Sequence, residues 1–195
     1  MPVADKTLIS RSDAVLVVVD IQERLAAVME RRDEVVGATR RLARTMALIG
    51  APVIVTRQYP QGLGGTVTEI DSLLFELAAA GTHVTGVDKT AFCCAEEEDF
   101  GAALAATGRR QVVLVGMETH ICVTQTALAL AGDGRQVQVV ADATCSRNDA
   151  DHQVALDRLR AAGIVVTTSE SVMYEAIGRA ATDEFKQLLN IVKEQ

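Results

Sequence analysis

Short, continuous apolar runs alternate along the chain with longer stretches whose apolar residues recur at helical spacing. Ala14–Asp20 (AVLVVVD), Pro52–Thr56 (PVIVT), Gln111–Val115 (QVVLV) and Gln136–Ala141 (QVQVVA) are β-branched runs. They are too short for helices and suit strands buried on both faces. His83–Val87 and Ile164–Thr168 read as two further extended stretches. Helices are predicted at about Arg31–Gly50, near Ile70–Ala80, near Glu96–Ala106, from Ile121 through ICVTQTALALAG, and over Ala150–Ala162. One or two short helices close the chain, the last near Thr182–Lys193. This order predicts an α/β fold with a parallel sheet covered on both faces, in one domain over residues 1–195. No linker, repeat or low-complexity segment divides it.

In such folds ligands bind beyond the carboxyl ends of the strands. Asp20 ends the first strand, Lys89 follows the extended stretch at Val87, and Cys122 follows the strand at Gln111–Val115, so all three can gather at one sheet edge. Taken singly, each has an ordinary explanation. Asp20 could cap IQERLAAVM, Lys89 could be a solvated surface lysine, and Cys122 could be a small buried residue at a helix start. Together they supply a base, a positive charge and a thiol. Placed at the first turn of a helix, Cys122 is expected to have a lowered thiol pKa.

Composition narrows the field. The net charge is −7 and aromatic residues make up 3% of the chain, so neither phosphate binding nor base stacking is expected and nucleic acid is not a predicted partner. No apolar run approaches the ~20 residues that span a bilayer, so no membrane role is expected. The N-terminal MPVADKTLISRSD lacks a signal-peptide pattern, and the expected location is cytoplasmic. Cys93, Cys94, Cys122 and Cys145 form no CxxC or zinc spacing and read as free thiols. GxGxxG and GxxxxGK[ST] are both absent, so no nucleotide cofactor is predicted. Tyr59 and Phe92 are candidate pocket walls, since aromatic faces suit small planar ligands; Phe92 could equally be core.

DIQ at Asp20–Gln22, KTAF at Lys89–Phe92 and GMETHICVTQTAL at Gly116–Leu128 resemble the isochorismatase-like cysteine hydrolases. TRQYPQGLGGTV at Thr56–Val67 and DATCSR at Asp142–Arg147 are similar to the subgroup of isochorismatase domain-containing proteins. The resemblance implies a three-layer αβα fold with a six-stranded parallel sheet and a catalytic Asp20–Lys89–Cys122 triad. It also implies a cis peptide at Met117–Glu118, an oxyanion hole formed by the amides of Glu118 and Cys122, and Gln22 as a pocket residue. The implied activity is hydrolysis of a C–N bond in a small amide-type substrate through a thioester, by a homo-oligomer of two or more copies. FKQLLNIV near the C-terminus could be its interface or a packed terminal helix.

Nicotinamidases of this superfamily carry an Asp-x-His metal-binding stretch where this chain has RQYPQGLGGTV, so no metal site is expected and nicotinamide is a poor candidate. Isochorismatases that cleave a vinyl ether lack the cysteine. Two other readings stay open. One is a non-catalytic or regulatory oligomer with a closed or blocked pocket; the other is a redox protein pairing Cys122 with Cys93 or Cys94. Glu118 could meet a cationic or amine-bearing substrate or point into solvent. Arg147 could pair with an acidic group or a neighbouring subunit.

Overall fold

A computed structural model describes residues 8–193. The N-terminal stretch MPVADKT, read above for a signal peptide, lies outside them. Six parallel strands form one sheet: β1 (Ala14–Val19), β2 (Val53–Gln58), β3 (Val84–Lys89), β4 (Gln111–Met117), β5 (Gln136–Cys145) and β6 (Val165–Thr167). Their spatial order is β3-β2-β1-β4-β5-β6. The chain winds outward from β1 to β3, then crosses back to β4 and winds the other way. The switch point therefore lies between β1 and β4, where the open crevice of a doubly wound sheet is found.

Period-two alternation divides each strand between two cores, since successive side chains point to opposite faces. Leu16, Val18, Val53, Val55, Val113 and Val115 face α2 (Arg32–Leu48), α4 (Thr68–Ala79), α8 (Ser169–Ile177) and α9 (Asp183–Lys193). Val15, Val17, Val19, Ile54, Val112 and Leu114 face α5 (Glu98–Ala106), α6 (Thr124–Gly132) and α7 (Asp149–Ala161). The result is the three-layer αβα architecture expected from the sequence. Leu188 of FKQLLNIV is buried, and Phe185, Ile191 and Val192 pack on the first core, so this stretch is a packed terminal helix. No helix among the described residues is long and apolar enough to cross a membrane.

Several boundaries differ from the sequence reading. β2 runs on to Gln58, and the glycine-containing segment after it holds a helical turn, α3 (Pro60–Leu63). β5 continues through Asp142 to Cys145 rather than ending at Ala141. A register shift between Leu114 and Gly116 lets Gly116 and Met117 pair with Thr144 and Cys145. Asp142, within this continued strand, accepts from the Ser169 amide at 2.7 Å and its hydroxyl at 2.5 Å. Asp20 is not a helix cap either: α1 (Glu23–Ala26) starts after Gln22, with no side-chain cap.

Gly116 fixes the approach of β4 to β1. It pairs with Val19, has φ +121°, and an added Cβ would fall on the Val19 carbonyl. Only glycine meets both conditions. Gly116→Ala is expected to destabilise the fold by at least about 2 kcal/mol. Its denaturant midpoint should fall with little change in the slope of the transition.

Candidate active site

Asp20 leaves β1 at φ 51°, a left-handed conformation that aspartate tolerates better than most residues. The turn is closed by the Gln22 amide donating to the Asp20 carbonyl at 2.8 Å. This turn directs the carboxylate to the carboxyl edge of the sheet, where it is fully buried. Thr56 Oγ1 of β2 donates to Asp20 Oδ1 at 2.7 Å. Lys89, the last residue of β3, extends its ammonium across β2 to within 2.7 Å of Asp20 Oδ2, and both side chains have zero exposure. Lys89 Nζ also donates to Gln58 Oε1 at 2.5 Å and to the carbonyls of Ala91 and Phe92 at 3.2 and 3.4 Å.

The loop carrying those two carbonyls is itself anchored. Glu97 Oε1 accepts from the amides of Thr90 and Ala91 at 2.7 and 2.8 Å, and these bonds hold its carboxyl below the usual range. Gln58 Nε2 donates to the Thr90 carbonyl at 2.7 Å.

Cys122 sits in a π-helical turn, Thr119–Val123, that runs into α6. Its side chain lines the same cavity as Asp20, close enough for the carboxylate's charge to act on the thiol. The Met117–Glu118 peptide bond before the turn is cis. Thr124 Oγ1 donates to the Thr119 carbonyl at 2.6 Å. Thr119 Oγ1 lies 2.9 Å from Nδ1 of the buried His152, whose Nε2 faces the Arg31 guanidinium at 2.9 Å. An arginine only donates, so His152 Nε2 accepts and the proton is assigned to Nδ1. Burial and then Arg31 push the His152 pKa down, keeping the ring neutral behind the turn.

The expectation of a lowered thiol pKa fails. Burial, then the charge on Asp20, push Cys122 up to about 12, against the pull of Lys89. The helix-start argument assumed a solvated first turn with an unopposed dipole, whereas this thiol is buried beside a carboxylate. Burial pulls the Lys89 ammonium down, but Asp20, aided by Cys94 and Cys122, outweighs it and leaves a net rise. Cys94, also buried, is pushed up to about 11 by burial, with Asp20 adding to the rise and Lys89 opposing it. Cys145 is pushed up to about 12 chiefly by burial.

A cavity of about 100 Å³ opens onto the cluster, lined by Asp20, Leu25, Gln58, Leu63, Phe92, Glu118, Ile121 and Cys122. Phe92 thus stands on the wall, while Gln22 and Tyr59 do not. The Gln22 amide instead staples two segments together. Its Nε2 donates to the carbonyls of Gln58 and Gly64 at 3.0 and 2.8 Å, and its Oε1 accepts from the Gln58 amide at 2.7 Å. Tyr59, at φ 37°, lies half-exposed against Gly62. Glu118 neither points into solvent nor stands unpaired: it is buried, with Oε2 accepting from the amide and Nε of Arg147 at 2.9 and 3.2 Å.

The sequence reading overlooked Thr56 and Gln58. The available signal was their i, i+2 spacing near the carboxyl end of β2, which puts both on one face. Leu25 and Leu63 could not be anticipated, because segments far apart in sequence bring them to the cavity. No group of three or more His, Cys, Asp or Glu among the described residues could hold a metal ion.

A doubly wound parallel sheet with a buried carboxylate, ammonium and thiol at its switch point defines an α/β protein with an enclosed acid–lysine–cysteine centre. The chain belongs to the isochorismatase family: the Isochorismatase domain model matches residues 14–171. It is 38% identical to isochorismatase domain-containing protein 1 of Danio rerio, over 95% of this chain and 62% of that one. It is 37% identical to isochorismatase domain-containing protein 2 of Bos taurus, over 93% and 83%. The chain thus spans 62% and 59% of the two domain-containing protein 1 relatives from Danio rerio and Salmo salar. Its structure is similar to that of the MAR1 ribonuclease of Caenorhabditis elegans, with a TM-score of 0.86, 32% identity and coverage of 95% and 92%. It is also similar to the YcaC gene product of Escherichia coli, described as an octameric hydrolase of unknown specificity, with a TM-score of 0.82, 25% identity and coverage of 94% and 90%.

The cluster's electrostatics can be tested directly. Removing one partner of a buried ion pair strands the other charge. Lys89→Met is therefore expected to cost about 3–5 kcal/mol in a denaturant titration, and the Asp20→Asn/Lys89→Met double variant clearly less than the sum of the singles. The raised thiol pKa sets a second test. Alkylation of Cys122 by iodoacetamide, followed by peptide mass spectrometry, should be slow at pH 7 and rise about tenfold per pH unit through pH 10. A plateau by pH 8 would show a preformed thiolate instead. Because the native thiol keeps its proton where an unfolded one has lost it, stability should fall as pH climbs from about 9 towards 12.

Proposed function

We propose that this chain is a cysteine hydrolase that cleaves the C–N bond of a small amide-type substrate through a thioester on Cys122. The observation that carries this reading is the buried Asp20–Lys89 ion pair with the Cys122 thiol in reach, all beside a cavity sized for a small molecule. The description of the Escherichia coli neighbour as a hydrolase, and as an octamer, agrees with a hydrolytic homo-oligomer. Four buried free thiols suit a reducing compartment such as the cytoplasm.

In the proposed reaction Asp20 takes the Cys122 proton and Sγ attacks the amide carbon. One cation and one anion remain in the cluster: Lys89 now faces a thiolate, and the neutral Asp20 no longer repels it. The raised thiol pKa is thus a property of the resting state, in which the carboxylate is charged. The amides of Glu118 and Cys122 serve as donors to the oxyanion, a contribution of a few kcal/mol in comparable sites. Asp20 returns the proton to the nitrogen as the C–N bond breaks and the amine leaves. A water then gives its proton to Asp20 and its oxygen attacks the thioester. The C–S bond breaks, the acid departs, and Sγ regains a proton from Asp20.

The Caenorhabditis elegans neighbour is named a ribonuclease. A phosphodiester backbone is a poor match for this chain, with its net charge of −7 and two carboxylates on the cavity wall. RNA cleavage serves as the contrasting arm of the test. Purified protein mixed with a panel of small amides should gain an acyl mass on the Cys122 peptide and release amine. Cys122→Ala and Asp20→Asn should each lower turnover by at least about a thousandfold, with circular dichroism confirming the fold. Turnover that survives Cys122→Ala, or RNA cleavage without any amide turnover, would overturn the reading.

A further inference from the structure

The cavity wall is chemically one-sided. Leu25, Leu63, Phe92 and Ile121 supply an apolar body, and the polar remainder is Asp20, Gln58, Glu118 and the Cys122 thiol. The Gln58 side-chain amide is largely committed, with one N–H of Nε2 donating to the Thr90 carbonyl and Oε1 accepting from Lys89. Asp20 is held by Thr56 and Lys89.

Glu118 differs. It is 5% exposed, and both bonds from Arg147 converge on Oε2, one from the amide and one from Nε. Both donors are thus on one oxygen, which leaves Oε1 on the side of the cavity that Glu118 lines. Arg147, with 61% of its side chain exposed, braces the carboxylate without lining the cavity. A carboxylate with one oxygen braced by Arg147 and the other left to the cavity presents a ready acceptor to whatever enters.

Building on the hydrolase reading above, we propose that Glu118 is the specificity-determining residue of this cavity. Its Oε1 accepts a hydrogen bond from an N–H of an uncharged or cationic substrate and turns away substrates that carry a carboxylate. Apart from the thiol and one remaining N–H of Gln58, the cavity side chains offer a ligand no donor, so a substrate carboxylate would find little to bind. It would also share about 100 Å³ with two carboxylates whose paired cations, Lys89 and Arg147, do not line the cavity, so a ligand meets the anionic oxygens first. The substrate class is therefore a compact amide with an apolar stem and a further amine, amide or urea-type N–H.

Three amides of similar size separate the possibilities: β-alaninamide (cationic), butyramide (neutral, with no N–H beyond the scissile amide) and malonamate (anionic). For the native protein, kcat/KM should be highest for β-alaninamide and at least about tenfold lower for malonamate. Glu118→Gln keeps an acceptor for Arg147 but loses the charge. It should reduce that ratio to within about threefold, mainly through KM, with thermal melting as the folding control.

A native preference for malonamate would overturn the proposal and show that Arg147 turns inward to take the anion. So would an unchanged ratio in folded Glu118→Gln. Should that variant not fold, Glu118→Asp takes its place, and the ratio should fall as the shortened side chain withdraws. If the native protein hydrolyses none of the three, the hydrolase reading fails. The Glu118 assignment is then decided by binding, read as thermal-shift midpoints: tighter β-alaninamide than malonamate, lost in Glu118→Gln, upholds it, and equal or absent binding refutes it.

Discussion

The ion pair between Asp20 and Lys89 sets the terms for everything around it. Two full charges without solvent can coexist only if each is closely matched and its remaining hydrogen-bonding capacity is met. Asp20 is matched by Thr56, and Lys89 by Gln58 and two loop carbonyls. These partners come from β2 and from the segment after β3, so the registers of β1, β2 and β3 must hold together for the pair to exist. A pair of well-packed apolar residues could fill the same volume at no loss of stability. The pair is thus poorly explained as a device for folding, and it fits the proposed role as the electrostatic floor of a reactive site.

The thiol is delivered from the other side of the switch point by a different constraint. Gly116 lets β4 approach β1 closely, and the π-helical turn that follows places Cys122 beside Asp20. Behind that turn Thr119, His152 and Arg31 form a chain of polar contacts linking it to α7 and α2. Neither half of the site depends on a flexible surface loop. The carboxylate, ammonium and thiol all sit at or just beyond strand ends, where the sheet fixes the backbone.

This division explains how far the sequence could be read. Apolar runs such as AVLVVV and QVVLV are buried on both faces, so their strands were legible from composition alone, and the rule for strand ends then picked out Asp20, Lys89 and Cys122. Failures came where tertiary contacts override local signals. The apolar run of β5 ends at Ala141, yet the Asp142 carboxylate is satisfied by Ser169 and the strand continues. Gln22 looks like a pocket residue, but its amide is consumed in joining β2 to the loop at Gly64. Cys122 looks like an activated thiol by position, whereas the same burial that creates the site raises its pKa. Leu25 and Leu63 carry no local mark at all, because a cavity wall is defined by what stands opposite it.

That raised pKa also says what kind of chemistry the site can perform. A standing thiolate would react with any electrophile that reached it, whereas a thiol held neutral beside a carboxylate reacts only when the proton has somewhere to go. In the proposed cycle the proton moves within the cluster, and the Lys89 charge is balanced by a neighbouring anion before and after. With a substrate in the cavity the barrier to forming the nucleophile is then set by the geometry of three buried groups, whereas in the empty cavity the thiol titrates with bulk pH. A substrate that fills the cavity excludes water from those groups and strengthens the Lys89–thiolate attraction at the moment it is needed. On the proposed reading, selectivity and activation share one small volume, with Glu118 on its wall and the Asp20–Lys89 pair at its base.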